Sequence, residues 1–342
     1  MSSTSPKIFL IYIPCHSDYQ RALETAVKIR TQFAEIQEVS IKNMFVIKVN
    51  ISVNGVNIPA EHYYELEKSA DFFNYFSDSL GGDTNINQGF LKALEIKPDY
   101  FWILSANEFL VDGSINYLLK IFVENNQSDL YVTNSMNRST TYHTSNVFID
   151  IPSGSGYGLI SSVIYNFTKT RSSFSAGPRF GWTGWGQLAV LQTACNTLGS
   201  LKVTEFPDRY IYQKPFTDVG SGPEKTEYEF VRRAYAHSFF GMPILIFALF
   251  GRNTKIRNRV LFAWIKKNWF KMRYFKKGAQ GEPDPLQPQF DSRWIQQLAG
   301  LILSVSGPIV SFLGLTGSVF NFEKVRKNKI LISVKENFSK HE

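Results

Sequence analysis

The sequence predicts an α/β protein: a mixed, mostly parallel sheet flanked by helices, followed by a separate helical C-terminal region. Three observations carry this. Apolar runs of strand length alternate with segments of helical period through the N-terminal half. Several of those runs stop abruptly on small or polar residues, as FWIL does on SANE at 101–108. The last third changes character, with long uncharged stretches set around a block rich in Lys and Arg. A chain of 342 residues, 44% apolar and 19% charged, has ample material for a buried core.

Taken in order, Lys7–Ile13 is an apolar strand, and Asp18–Phe33 places Leu23, Ala26, Val27 and Ile29 near helical spacing. Met44–Val49 is a second strand, and Glu61–Phe73 a helix that runs into the approach to a third strand at 72–77. The stretch 78–90, DSLGGDTNINQGF, reads as a Gly- and Asn-rich loop in which Asn85 or Asn87 caps the next helix. That helix, Asn87–Ile96, ends at Lys97-Pro98 because the residue before proline avoids helical geometry. Tyr100–Leu104 is a strand, Ser114–Asn125 a helix and Asp129–Thr133 a strand.

In sheets of this kind ligands bind outside the carboxyl ends of the strands. The candidates are therefore the residues there: Pro14, Cys15, His16 and Ser17 after the first strand, Asn50–Ser52 after the second, and Ser105–Glu108 after the later one. The two cysteines, Cys15 and Cys195, have no metal-ligand spacing and read as reduced core thiols. His16, His143 and His237 are equally isolated. The opening MSSTSPKIFLIYIP has one Lys and a short run broken by Tyr and Pro, which suits a first strand better than a signal peptide.

Four segments, in order and spacing, resemble one family. IYIPCHSDYQRALETAV resembles the opening strand and turn of a family 2 glycosyltransferase with a GT-A fold. NINQGFLKAL is similar to that family's R-N-x-G-x-x-x-A segment, with Asn87, Gly89 and Ala93 in register. DYFWILSANEF falls where the family has a strand followed by L-D-x-D-D, and FGWTGWGQLAVLQ resembles its W-G-x-E-D helix start. The resemblance spans residues 7–215 and implies a GT-A-type, Rossmann-like domain over 1–235, with O-antigen or capsule synthesis as the setting.

The resemblance assigns roles residue by residue. Pro14, His16, Ser17 and Asn50 would hold the nucleotide of a sugar donor, with Asn87 and Gly89 lining the same cleft. Ser105 and Asn107 would fall on the D-x-D element that holds a divalent cation against the donor diphosphate. Trp182, Trp185 and Gln187 would face the acceptor, Gln187 at the position of the catalytic acidic residue.

The sequence departs from the family at two chemically important points. Mg²⁺ and Mn²⁺ prefer hard carboxylate oxygens, yet both D-x-D aspartates are replaced, by Ser105 and Asn107. Either a weak metal site is rebuilt from Asn107 and Glu108, or basic side chains and helix N-termini neutralise the diphosphate without metal. Inverting transfer also needs a carboxylate to deprotonate the acceptor, which Gln187 cannot supply. Glu205 and Asp208 in VTEFPDRY are the nearest substitutes, with Asp112 and Asp150 as further options.

Residues 236–342 read as a membrane-associating region. Ten Lys or Arg fall between Arg252 and Lys277 with no Asp or Glu, so the rest of a chain of net charge +8 carries about −2. At helical spacing Arg252, Lys255, Arg259, Lys266, Arg273 and Lys277 form one stripe about 60° wide, with Leu261, Trp264 and Phe275 broadly opposite and Arg257 interrupting the apolar side. Residues 298–320 are uncharged and long enough to span a bilayer, but Gly307-Pro308 divides them, which favours two short interfacial or re-entrant helices, with a single spanning helix as the runner-up.

The expectation is a glycosyltransferase on the cytoplasmic face of the plasma membrane, peripheral or monotopic, moving a sugar from a nucleotide-sugar donor to a glycan or polyprenyl-linked acceptor. The alternative is a non-catalytic relative that binds nucleotide or glycan beside an active transferase. Nucleic acid is not an expected partner: the basic stripe backs onto an apolar one, and no nucleic-acid-binding motif is present.

Overall fold

A computed structural model describes residues 5–15, 18–78, 82–134, 138–149, 160–183, 185–213, 242–251 and 253–268. The chain divides into two compact units, one formed by 1–181 with 186–220, the other by 182–185 with 221–342. His16, Ser17, Asp150 and the stretch 298–320 lie outside the described residues.

The first unit opens with β1 (Lys7–Cys15), α1 (Tyr19–Ala34), a short α2 (Val39–Met44), β2 (Phe45–Asn54), α3 (Ala60–Ser69) and β3 (Phe72–Phe76). It continues with α4 (Gly82–Ile96), β4 (Tyr100–Ile103), α5 (Ser114–Glu124), β5 (Leu130–Asn134) and β6 (Thr140–Thr144). Then come β7 (Val163–Asn166), short helices α6 (Phe167–Thr170) and α7 (Ala176–Phe180), α8 (Gly186–Leu198) and β8 (Leu201–Pro207). The sheet has the order β3-β2-β1-β4-β7-β5-β8-β6. β3, β2, β1 and β4 are mutually parallel, β7 runs against both β4 and β5, and β8 runs parallel to β5. This is the mixed α/β sheet flanked by helices that the alternating pattern anticipates.

Alternation along the central strands sorts their side chains onto two faces. Phe9, Ile11, Ile13, Val49, Ile51, Val53 and Trp102 join one buried cluster with Ala22, Ala26 and Ile29 of α1 and Leu118, Leu119 and Phe122 of α5. Phe122 lies flat on Tyr100 at 4.3 Å between ring centres. Opposite, Phe90 of α4 meets Phe101, Tyr165 and Phe174, mostly edge to face. Gly177 of α7 leaves room for that ring, since a Cβ there would sit 2.5 Å from Cδ2 of Phe90. β3 forms the sheet's edge beyond β2; Phe72 carries the Lys92 ammonium 4.7 Å from its ring centre, and Tyr63 packs edge-on to Phe73 and Tyr75.

Several sequence-based boundaries move, for physical reasons. β1 continues through Pro14 to Cys15, and β2 to Asn54, so Pro14, Asn50 and Ser52 lie within strands and not beyond them. The helix expected over 61–73 ends at Ser69, because Phe72–Phe76 pairs with β2 as β3. α4 begins at Gly82, inside the segment read as a loop, and both Asn85 and Asn87 sit within it and not at its cap. α2 and the antiparallel β7 have no counterpart in the sequence reading.

The second unit contributes two described helices, α9 (Met242–Phe250) and α10 (Thr254–Asn268). Arg257, which interrupts the apolar side of α10, places its guanidinium 4.7 Å from the centre of the Phe247 ring. Val260 and Leu261 are buried, while Ile256 and Phe262 face outward with Lys255 and Arg259. Among the described residues no helix is long and apolar enough to cross a membrane.

Candidate functional site

The strand topology brings the carboxyl ends of β1, β2, β3, β4, β5 and β8 to one edge of the sheet. Along that edge stand two groups of polar side chains, each buried more deeply than bulk solubility requires.

The first group lies at β1 and β2. The sequence N-I-S-V-N at 50–54 alternates, sending Ile51 and Val53 into the core and leaving Asn50, Ser52 and Asn54, all fully buried, on the other face. Asn85, one turn into α4, ties this row together. Its amide nitrogen donates to the carbonyls of Cys15 at 3.2 Å and Ser52 at 3.0 Å. Its side-chain oxygen accepts from Ser52 Oγ at 2.6 Å and from the Tyr12 hydroxyl at 3.0 Å. Both donors and both acceptor positions of that amide are used, which fixes its orientation and rigidifies the strand ends. Gly89, one turn further on, allows the helix to close on Tyr12: a Cβ there would fall 2.7 Å from the tyrosine ring. Burial holds the Tyr12 hydroxyl well above the ordinary tyrosine range, so it remains a neutral donor. Asn50 accepts from Asn74 Nδ2 at 3.4 Å, but its own Nδ2 is buried with no hydrogen-bond partner among the described residues. A buried amide left unsatisfied costs free energy, on the order of 1–3 kcal/mol, unless something binds there.

The second group surrounds the turn after β4. The chain folds back at once: Glu108 N–H donates to the Ser105 carbonyl at 3.0 Å, and Ser105 Oγ accepts from Asn107 N–H at 3.3 Å. Ser161 pins the start of the turn, its Oγ accepting from Ser105 N–H at 3.0 Å. The Ser161 carbonyl accepts from Trp102 Nε1 at 2.6 Å and from the Tyr212 hydroxyl at 2.5 Å. Beyond the turn, Leu110 bridges to Tyr212 in the segment that follows β8. That pairing brings Glu108 and Asp208 together around Tyr212, and both carboxyls reinforce the upward pKa shift that burial imposes on its hydroxyl. Glu108 is 7% exposed and Asp208 5%, and each has one side-chain oxygen without a partner among the described residues. Burial pushes Glu108 up to about 7 and Asp208 above the usual carboxylate range.

This geometry bears directly on the metal expectation. Asn107 Oδ1 accepts from Arg21 Nη1 at 3.3 Å, so an arginine already engages the oxygen a cation would need. Glu108 faces a cavity of about 100 Å³ that Arg21 and Lys28 also line. A carboxyl about half protonated at neutral pH, in a cavity lined by Arg21 and Lys28 as well as Glu24, is a poor host for a dication. Asn107 and Glu108 therefore do not fit a Mn²⁺ or Mg²⁺ site, and no cluster of three or more His, Cys, Asp or Glu forms among the described residues.

The other candidates are placed as follows. Glu205 is fully buried, accepting from the Tyr142 hydroxyl at 2.7 Å and pairing with Arg138 at 3.5 Å, so its charge serves the β6–β8 contact. Asp112 is exposed and pairs with Lys28. Gln187 is buried in the first turn of α8. Trp185 is half-buried, and Trp182 lies in a short helical turn over Gly181–Thr183, its side chain outside the description. Asn87 is buried against Gly181 and Gly186. Sequence reading passed over Tyr12, Tyr212 and the full role of Asn85. The alternating polar residues at 50–54 are the signal that could have exposed the first group; Tyr212 has none.

No protein-family model matches the sequence, and no curated protein sequence matches it. Solved structures do share its fold. S. aureus TarS superimposes with a TM-score of 0.50 at 11% identity, over 87% of this chain and 49% of that one, so the chain spans about half the length of TarS. TarS 1–349 in complex with UDP gives 0.48 at 10% identity, covering 98% and 92%. The mannosyltransferase PcManGT from Pyrobaculum calidifontis, in complex with GDP-Man and Mn²⁺, gives 0.45 at 9% identity, covering 99% and 89%. At 11% identity the likeness to TarS is one of fold.

Proposed function

We propose that this chain is a glycosyltransferase that moves a sugar from a nucleotide-sugar donor to a glycan, with a polyprenyl-linked glycan as acceptor and cell-surface polysaccharide as product. One observation carries the reading: towards the edge where β1, β2 and β8 end stand both a buried amide row with a donor that has no partner among the described residues, Asn50 Nδ2, and a buried carboxyl with a raised pKa, Asp208. The four-segment resemblance and the fold shared with TarS support it, as does the UDP that TarS 1–349 binds.

In this reading the nucleotide base meets Asn50 and the Tyr12–Ser52–Asn85 network. In single displacement the acceptor oxygen attacks the anomeric carbon and its proton passes to Asp208. The bond from that carbon to the diphosphate breaks, and its electron pair leaves on the nucleoside diphosphate. Arg21, beside the Ser105–Glu108 turn, meets diphosphate charge. Calorimetric titration with UDP, GDP and dTDP, in Mn²⁺ and then in EDTA, tests the reading. Binding of one nucleotide with affinity unchanged by chelation is expected; no binding of any would sink it. The loss of both D-x-D aspartates and the amide at Gln187 favour a second reading, a donor-binding relative without turnover, which predicts the same titration but no product.

The membrane surface belongs to the same proposal. Lys255 and Arg259 stand exposed on α10 with Ile256 and Phe262, a mix of basic and apolar groups suited to an anionic headgroup layer. Flotation with phosphatidylglycerol vesicles, weakened by salt and lost with neutral vesicles, is the expected result; flotation indifferent to lipid charge would refute it.

A further inference from the structure

The cavity of about 100 Å³ beside α1 lies between that helix, the turn after β4 and the segment that follows β8, with Arg21, Glu24, Lys28, Glu108, Phe109 and Gln213 among its walls. Those walls are chemically mixed. Glu108 is 7% exposed, and its Oε2 has no hydrogen-bond partner among the described residues. Phe109 is 41% exposed although Glu108 and Leu110 on either side of it are buried. Its carbonyl accepts from Gln213 N–H at 2.8 Å, which fixes this residue at the cavity, and the Arg21 guanidinium stands 5.6 Å from the centre of its ring. Two cations and two carboxyls thus share one small space. Arg21 also pairs with Asp18, and Lys28 with Asp112, in surface ion pairs that exchange partners at little cost.

We infer that this cavity is a subsite for one neutral sugar ring of the acceptor, stacked on Phe109 with a hydroxyl group on Glu108. The inference rests on the transferase reading and adds a place for the acceptor to it. Near-balanced charge gives the cavity no net attraction for an anion or a cation. A hydroxyl both donates and accepts, so it satisfies Glu108 Oε2 whether the carboxyl is ionised or protonated. The C–H face of a pyranose is weakly positive and packs on the negative face of an aromatic ring. The volume is roughly a third or less of what a drug-sized ligand fills, which suits one edge of a sugar ring and not a nucleoside. Glu108 and Asp208 both neighbour Tyr212, so a ring held here stands close to the proposed base.

The test uses the full chain and four methyl pyranosides, of glucose, galactose, mannose and N-acetylglucosamine, with binding read by saturation-transfer NMR. At least one is expected to bind in the millimolar range, as a single ring does. Its affinity should fall about fivefold in Phe109→Ala and by a similar factor in Glu108→Leu, which removes the carboxyl at nearly constant volume. Phe109→Ala alters a ring at the surface, so it decides the matter even if Glu108→Leu does not fold. Binding should persist when the chain is saturated with the nucleoside diphosphate it prefers. No pyranoside bound by the wild type, or equal affinity in the wild type and Phe109→Ala, would overturn the proposal. Displacement of the sugar by nucleoside diphosphate would do the same, because the sugar would then occupy the donor site. If the wild-type chain binds no nucleotide, the transferase reading fails by itself, and the comparison of wild type with Phe109→Ala still decides whether a sugar sits here.

Discussion

In the proposed transferase, Asp208→Asn is expected to reduce the rate of sugar transfer by about 10²–10⁴-fold while leaving nucleotide binding intact, the range spanned by loss of a positioned proton acceptor. The substitution keeps shape and removes only the ability to take a proton. Asp208 takes this role from its environment, set against three other candidate positions that the sequence offered. Gln187 is an amide, Glu205 is engaged by Tyr142 and Arg138, and Asp112 is exposed beside Lys28. Asp208 alone of these carboxyls is buried at the carboxyl edge of the sheet with a free oxygen. Burial raises its pKa, although backbone N–H groups in its own turn counter part of the effect. A base must be deprotonated to act, so the rate climbs as pH rises through that pKa, and the acid limb of kcat/KM lies above the ordinary Asp range of about 4. Retention of near-normal turnover by Asp208→Asn, or an acid limb at the ordinary value, would remove Asp208 from the chemistry.

Glu108→Gln is expected to stabilise the protein at alkaline pH and to flatten its pH dependence. In the folded chain the Glu108 carboxyl titrates near 7, against 4.5 for an unburied glutamate. The folded state thus holds this proton more tightly than the unfolded state. The contribution is fully present below about 4.5, declines as pH rises towards 7, and beyond that leaves a buried charge costing up to roughly 3 kcal/mol. Urea unfolding at pH 5 and pH 8 gives the comparison: the variant's advantage should widen between the two. An advantage that is constant with pH would show that Glu108 does not titrate in this window.

What the sequence made legible follows from what each element depends on. β1, β4 and α5 are declared by their own apolar residues, because each buries a face whose period is visible locally. β2 was cut short at Val49, since its last residues are polar on the face that Asn85 satisfies, and that satisfaction comes from 33 residues away in sequence. The first turns of α4 were hidden for the same reason. Gly82, Asp83, Thr84 and Asn85 are poor helix formers, and the helix holds there through tertiary bonds that no local propensity records. β7 is four residues long and pairs on both sides with strands far off in the chain. Of the site, Asn50 and Glu108 were readable as strand-end polar residues, and Asp208 as a substitute carboxylate for the base. Their partners were not: the Arg21–Asn107 contact spans 86 residues, and the convergence on Tyr212 depends on a bridge across about a hundred.

β3 has a consequence for the protein's behaviour in concentrated solution. Among the described residues it is the outermost strand of the sheet, and its sequence, FFNYF, is aromatic, uncharged and free of proline. Short uncharged segments of this kind on an open edge template the addition of further strands, from a second copy or from a growing fibril. Charges stand beside it: Asp71, paired with Arg30 and Lys48, and Asp78 bracket the run, and Lys92, paired with Glu95, sits over Phe72. Colloidal stability should therefore depend in part on the charges beside one short strand, and high salt or neutralisation of Lys92 would leave that strand more adhesive.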